Sequence, residues 1–238
     1  MVSVKLSGRW NYRVGNGTWN KWQDNLVVDN GAKLLAGAMG GMPNDLYFAL
    51  GSGDAGWVGS GIPSPSKSDT SLISEFARRR IDSSAYIEEF VGFHSVPSPN
   101  PLDEIRSPIL GEIEPIFLLN RLIEIIDGTN KGETRQIIAI SGDTVTLDSA
   151  LSAASDSTTL WRVGVVSLAP SNIIELQTTF PATDSSALGQ IREEALYGAG
   201  ATEELNSGQI YNVIRHPVIV KPDNEEFTRI LRLRFNIA

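Results

Sequence analysis

The chain has 238 residues, 41% of them hydrophobic and none a cysteine, so it is long enough to bury one large core or two small ones without cross-links. Disulfides, thiolate chemistry and cysteine-built zinc or iron–sulfur centres are excluded, and a formal charge of −8 with a pI near 4.8 argues against a general nucleic-acid binder, which needs a basic surface or patch. No run is apolar enough to span a bilayer and the first residues carry no apolar signal core, so no membrane insertion is expected, and the protein is expected to stay where it is made.

Residues 8–22 place Gly15-Asn16-Gly17 between two aromatic runs, which predicts a hairpin with positive-φ turn residues. Trp10 and Tyr12 share a face. Together with Trp19, Trp22 and Trp57 they are the candidate partner-contact residues. Two uses compete: packing on the body or on a neighbouring subunit, or stacking on sugar rings. Packing is favoured because aromatic cross-strand pairs carry large apolar area. Read as a docking element, the hairpin is expected to be detachable: a chain lacking residues 1–22 would fold but fail to join its partner.

Asp29-Asn30 caps a short predicted helix over Gly31–Met39 that Gly40, Gly41 and Pro43 end. Leu46–Leu50 reads as a strand, and the following Gly51-Ser52-Gly53-Asp54-Ala55-Gly56 matches G-x-G-x-x-G. A dinucleotide site would need a helix next, whereas Pro63 and Pro65 continue a loop, so no cofactor is expected. Arg78-Arg79-Arg80 is read as a solvated or salt-bridged sheet face, as are Arg229, Arg232 and Arg234, with Glu193, Glu194, Glu225 and Glu226 as expected partners.

Five prolines between Val96 and Pro115 predict an extended linker over 96–115. Strand-like runs at 121–126, 134–140, 144–147 and 160–166, joined by tight Gly/Asp turns, predict a small barrel or sandwich, taken as a small β-barrel over 116–167 inserted into an outer domain made of 1–95 and 168–238. In Asn172–Pro181 the residues Ile174, Leu176, Thr178 and Phe180 alternate with Glu175, Gln177 and Thr179, the signature of a half-buried strand that Pro181 ends. Leu231, Leu233, Phe235 and Ile237 form a matching face near the C-terminus. The predicted class is mainly β: an antiparallel β-sandwich-like domain with one short helix and an inserted small β-barrel.

Little in the pattern points to catalysis. His94 and His216 are the only histidines, and no G-x-S-x-G elbow accompanies them, so both are read as hydrogen-bonded structural side chains. The adjacent pairs Glu88-Glu89, Glu193-Glu194 and Glu225-Glu226 point to opposite faces of a strand and make no natural acid/base pair. Asp127–Glu133 lacks the EF-hand spacing and is read as a structural turn. No catalytic, cofactor-binding or metal-binding residue is assigned.

The order of several short motifs resembles tailed-bacteriophage tail proteins, especially tail-fibre and baseplate-associated ones. These motifs are Asn25–Ala36, Tyr47–Gly53, Asp69–Leu72 with Glu75 and Arg78, Phe180-Pro181-Ala182, Arg192–Gly198, and Ile214–Pro217 leading to Arg229–Phe235. The stretch Asp127–Arg135 looks like part of a small β-module of phage virion proteins. The resemblance implies a non-enzymatic structural component of a virion (tail, baseplate, fibre or neck), assembled in the host bacterial cytoplasm through other virion proteins and copies of itself. The alternatives are a receptor- or glycan-binding module that touches host surface glycan, a capsid cement protein, or, as a third reading, an enzyme such as a depolymerase.

Overall fold

The computed structural model describes residues 4–29, 31, 45–57, 61–96 and 100–237. The helix expected over Gly31–Met39 falls almost wholly outside them. Strands run β1 (Val4–Val14), β2 (Gln23–Val27), β3 (Tyr47–Gly51), β4 (Glu75–Arg80), β5 (Ser83–Phe93) and β6 (Glu104–Arg106). Two one-turn helices follow, α1 (Pro108–Gly111) and α2 (Pro115–Leu118). The remaining strands are β7 (Leu122–Asp127), β8 (Thr134–Ser141), β9 (Thr144–Leu147), β10 (Leu160–Val166), β11 (Ile173–Phe180), β12 (Gly189–Gly198), β13 (Gln209–Lys221) and β14 (Phe227–Ile237). The protein is mainly β, as the alternation predicts. Contacts divide it into two units, one of Met1–Gly15, Gln23–Ser84 and Ile174–Ala238, the other of Asn16–Trp22 and Ala85–Ile173.

In the first unit neighbouring strands follow the order β4-β3-β12-β13-β2-β1-β14-β11. Strand β2 changes partner along its length: Gln23 to Asn25 face Trp10 to Gly8 of β1, whereas Leu26 and Val27 face Val213 and Asn212 of β13. That switch folds the ladder into two layers. One layer turns in Trp10, Leu176, Phe180, Leu231 and Leu233, the other Phe48, Leu50, Leu196 and Ile214, so the core lies between two facing sheets as in a sandwich. Trp10 and Phe48 meet across it with ring centroids 4.7 Å apart.

The face expected on β11 is present, because Leu176, Thr178 and Phe180 are buried. Its opposite face is less open than alternation suggests: Glu175 is also buried, held by Arg232 at 2.8 Å. The hairpin expected at residues 8–22 is altered as well. β1 pairs with β14 along its whole length and with β2 on its other side, and residues 16–22 belong to the second unit. A detachable element this is not. β1 is an interior strand, and Trp10, only 1% exposed, is part of the core.

The second unit runs β5-β10-β7-β8-β9-β6. Here β8 is the strand that changes partner, facing β7 through Thr134–Gln136 and β9 through Ile137–Ser141. Its core contains Ile105, Leu110, Leu118, Ile123, Ile137, Val145, Trp161 and Val163. Among the described residues no ladder joins β5 to β6; Ser95 N–H donates to the Arg106 carbonyl at 2.8 Å and Arg106 N–H to His94 Nδ1 at 3.2 Å just beyond the end of β5, so the small barrel expected over 116–167 is not seen as a closed ladder.

The stretch read as a linker, 96–115, is part of this unit. Ile105 on β6 and Leu110 on α1 are fully buried. Pro108 and Pro115 open α1 and α2 at the first helical position, where the missing N–H needs no partner. These two prolines therefore start elements instead of breaking them. The turn after β7 is structural, as read: Gly128, Asn130 and Gly132 all have positive φ, and the Asn130 amide exchanges two 2.9 Å hydrogen bonds with Ala153.

Replacing Trp10 by alanine is expected to lower the unfolding free energy by about 3–5 kcal/mol, measured by urea titration. Deleting residues 1–22 is expected to give an unfolded chain by circular dichroism, because an interior strand is lost; a cooperative unfolding transition in the truncated chain would contradict the pairing described.

Candidate functional site

None of the four tryptophans proposed as contact residues offers a ring to a partner. Trp10 lies in the sandwich core, and Trp19, Trp22 and Trp57 are buried too. Tyr12 is half-buried against Phe227, with ring centroids 5.8 Å apart. Trp57 lies under the Arg215 guanidinium, 5.3 Å from the ring centroid. Packing within the chain is how these side chains are used, which removes them as stacking platforms for sugars. The G-x-G-x-x-G stretch is a turn, closed by Gly56 N–H donating to Asp54 Oδ1 at 2.8 Å and Trp57 N–H to the Asp54 carbonyl at 3.0 Å.

The charged residues form two groups on the two faces of β12. Glu194 points into the sandwich with Leu196, and Glu193 points out with Ala195 and Tyr197. Glu194 is fully buried, His216 is 3% exposed and Arg229 is 1% exposed. His216 Nε2 lies 2.8 Å from Glu194 Oε1, and Arg229 Nε forms an ion pair with Glu194 Oε2. The Arg229 guanidinium also covers the rings of Trp10 and Tyr12, at 4.8 and 5.0 Å. Burial pulls the Arg229 pKa below its ordinary value, and the Glu194 charge opposes that shift. Buried from solvent, this cluster is a clamp between the two layers.

Glu193 ties down the loop before β4. Its Oε1 accepts from the Ile73 and Ser74 N–H groups at 2.7 and 3.1 Å, and burial raises its pKa against these donors. Arg215 spans Asp69 at 3.0 Å and Glu193 at 3.8 Å. Arg78, expected on a solvated or salt-bridged face, is salt-bridged to Glu75 at 2.5 Å but buried, donates to the Thr202 and Ser207 carbonyls and stacks over Tyr197 at 4.7 Å. Burial pushes the Tyr197 phenol up to about 12, and its hydroxyl accepts from Leu72 N–H. Arg79 and Arg80 match the salt-bridged reading, with Asp82 and Asp45 as partners.

His94 pins the second unit. Its Nδ1 accepts from Arg106 N–H at 3.2 Å, which leaves Nε2 to donate to Asn100 Oδ1 at 3.3 Å. Burial holds its pKa below the ordinary 6.5.

One concave surface in the second unit combines apolar and charged groups. A groove of about 410 Å³ has Phe90, Ile113, Phe117 and Val165 in its lining and the exposed Glu88, Glu112 and Glu114 around it. These residues come from β5, the α1–α2 connection and the end of β10, too far apart in sequence for any local motif to reveal them.

Glu194→Ala is expected to cost about 3–5 kcal/mol in urea unfolding because Arg229 is left buried and uncompensated. Glu194→Leu combined with Arg229→Met should recover most of that loss; a single variant within about 0.5 kcal/mol of wild type would show that the pair does not bind the layers. For His94 the folded pKa is depressed, so its contribution to stability is complete above 6.5 and is lost as pH falls through the lowered value. Thermal melts between pH 5 and 7.5 should show this fall in wild type and a flatter profile in His94→Gln; identical profiles would rule the histidine out as its source.

No protein-family profile matches the chain, and no curated protein matches it.

Proposed function

We propose that the protein is a non-enzymatic structural component of a tailed-phage virion, in the tail, baseplate, fibre or neck, and that it works by assembly with other virion proteins and with copies of itself. The observation that carries this reading is where the apolar surface remains. While the tryptophans are consumed inside the chain, the second unit exposes Leu168 at 88%, Ile116 at 78% and Phe93 at 59%. Large apolar side chains held in water on ordered backbone suit protein contacts better than catalysis or sugar stacking. The buried Glu194–His216 pair supports the same reading, since the histidine is engaged where no substrate can meet it. The order of strand and turn motifs, similar to phage tail proteins, supplies the class of particle.

Immunogold labelling of purified particles with an antibody to this protein is the test. Gold at the tail, baseplate or neck is the expected result. Gold over the capsid face would favour a cement protein, gold only at fibre tips a receptor-binding module, and unlabelled particles with the epitope shown accessible would overturn the virion reading.

A further inference from the structure

We infer that the groove of the second unit is the docking site for a cationic segment of a partner protein, one that inserts one or two large apolar side chains flanked by lysine or arginine. This deepens the assembly reading and rests on it for the identity of the partner as a virion protein. Charge complementarity selects the occupant. Among the described residues the lining contains Glu88, Glu112 and Glu114 and no lysine, arginine or histidine. An anionic segment would meet three carboxylates with no counter-charge.

Each part of the groove has a separate physical role. Phe90, Ile113, Phe117 and Val165 offer an apolar floor, and a volume of about 410 Å³ is in the range that admits one or two large side chains. Burying such an anchor supplies affinity at roughly 25 cal/mol per Å² of apolar area, less the cost of ordering the segment. The three carboxylates are exposed, so pairing them with a cation requires little desolvation and serves mainly to choose and steer the partner.

The rim is preorganised. Leu110 and Leu118 anchor α1 and α2 in the core and so fix the backbone between them, which carries Glu112 and Glu114. On the opposite side Ser167 N–H donates to the Tyr86 carbonyl at 2.8 Å, and Ser167 Oγ–H donates to the Ala169 carbonyl at 2.8 Å. Those bonds hold the turn that presents Leu168 to solvent. A second copy of this chain is the weaker occupant, because a two-fold contact centred on the groove would set acidic rim against acidic rim.

The test uses the full-length protein and a ribosome-displayed library of random dodecapeptides, counter-selected on the triple variant Glu88→Lys, Glu112→Lys, Glu114→Lys. Enriched peptides should carry net positive charge and at least one Leu, Phe, Tyr or Trp. Resynthesised, they should bind the triple glutamine variant, Glu88→Gln, Glu112→Gln, Glu114→Gln, at least about tenfold more weakly and lose affinity as salt is raised. Leu168→Ser should weaken binding without moving the urea midpoint, since Leu168 is almost fully exposed. No enrichment, enriched peptides without charge bias, or equal binding to the glutamine variant would overturn the inference. So would a sedimenting dimer that the lysine variant dissolves, which would assign the groove to a second copy. Labelled particles with a failed selection would sink the groove alone; basic peptides selected by a protein that labels no particle would keep the groove and sink the virion assignment.

Discussion

A guanidinium and a carboxylate face each other inside the sandwich of the first unit, Arg229 from β14 in one layer and Glu194 from β12 in the other. Each alone in that interior would be strongly destabilising, so each requires the other. Their meeting point also fixes alignment: moving either strand by one residue would turn its charge outward and bring an apolar neighbour to the wrong face. Trp10 and Tyr12 complete the enclosure from β1, with their rings under the guanidinium. The aromatic side chains at the start of the chain thus serve the internal charge.

The outer face of the same layer is held by a second set of ionic contacts. Glu193, one residue from Glu194, reaches the backbone of Ile73 and Ser74, while Arg215 and Arg78 gather Asp69, Glu75 and the carbonyls of Thr202 and Ser207. Buried backbone donors and acceptors must be satisfied, and side chains with several hydrogen-bonding atoms do this where no strand is available. The long connections before β4 and β13 are thereby tied to the sheet.

The second unit distributes its residues differently. Its core is aliphatic around Trp161, its turns are fastened by Asn130, Asp156 and His94, and its surface keeps apolar side chains in water beside a line of glutamates. Asp156, whose carboxylate accepts from the Thr129 and Thr158 hydroxyls, has a pKa lowered to about 2 by these bonds. An apolar groove floor beneath an acidic rim, together with exposed Leu168 and Ile116, is the physical basis of the proposed function.

Alternation by itself was enough to place β11, β14 and strands β7 to β10, because each buries one face and a two-residue period then writes itself into the composition. The same counting puts Arg229 on the Leu231 and Leu233 face of β14, opposite Arg232 and Arg234, so its burial was legible, although grouping the arginines by proximity hides it. The turn at Asp127–Gly132 was equally readable, since glycine and asparagine are what positive φ selects. Other features were settled only in three dimensions. The β12–β13 ladder shifts register between Ile191 and Glu193, opposite the stretch containing His216 and the donor-less Pro217, and period counting fails across such an irregularity. Which strand lies beside β1, whether 96–115 packs or links, and the meeting of Glu88, Glu112 and Leu168 at one groove depend on contacts between distant residues. A linear pattern states which face a residue prefers; the partner on that face is decided by packing.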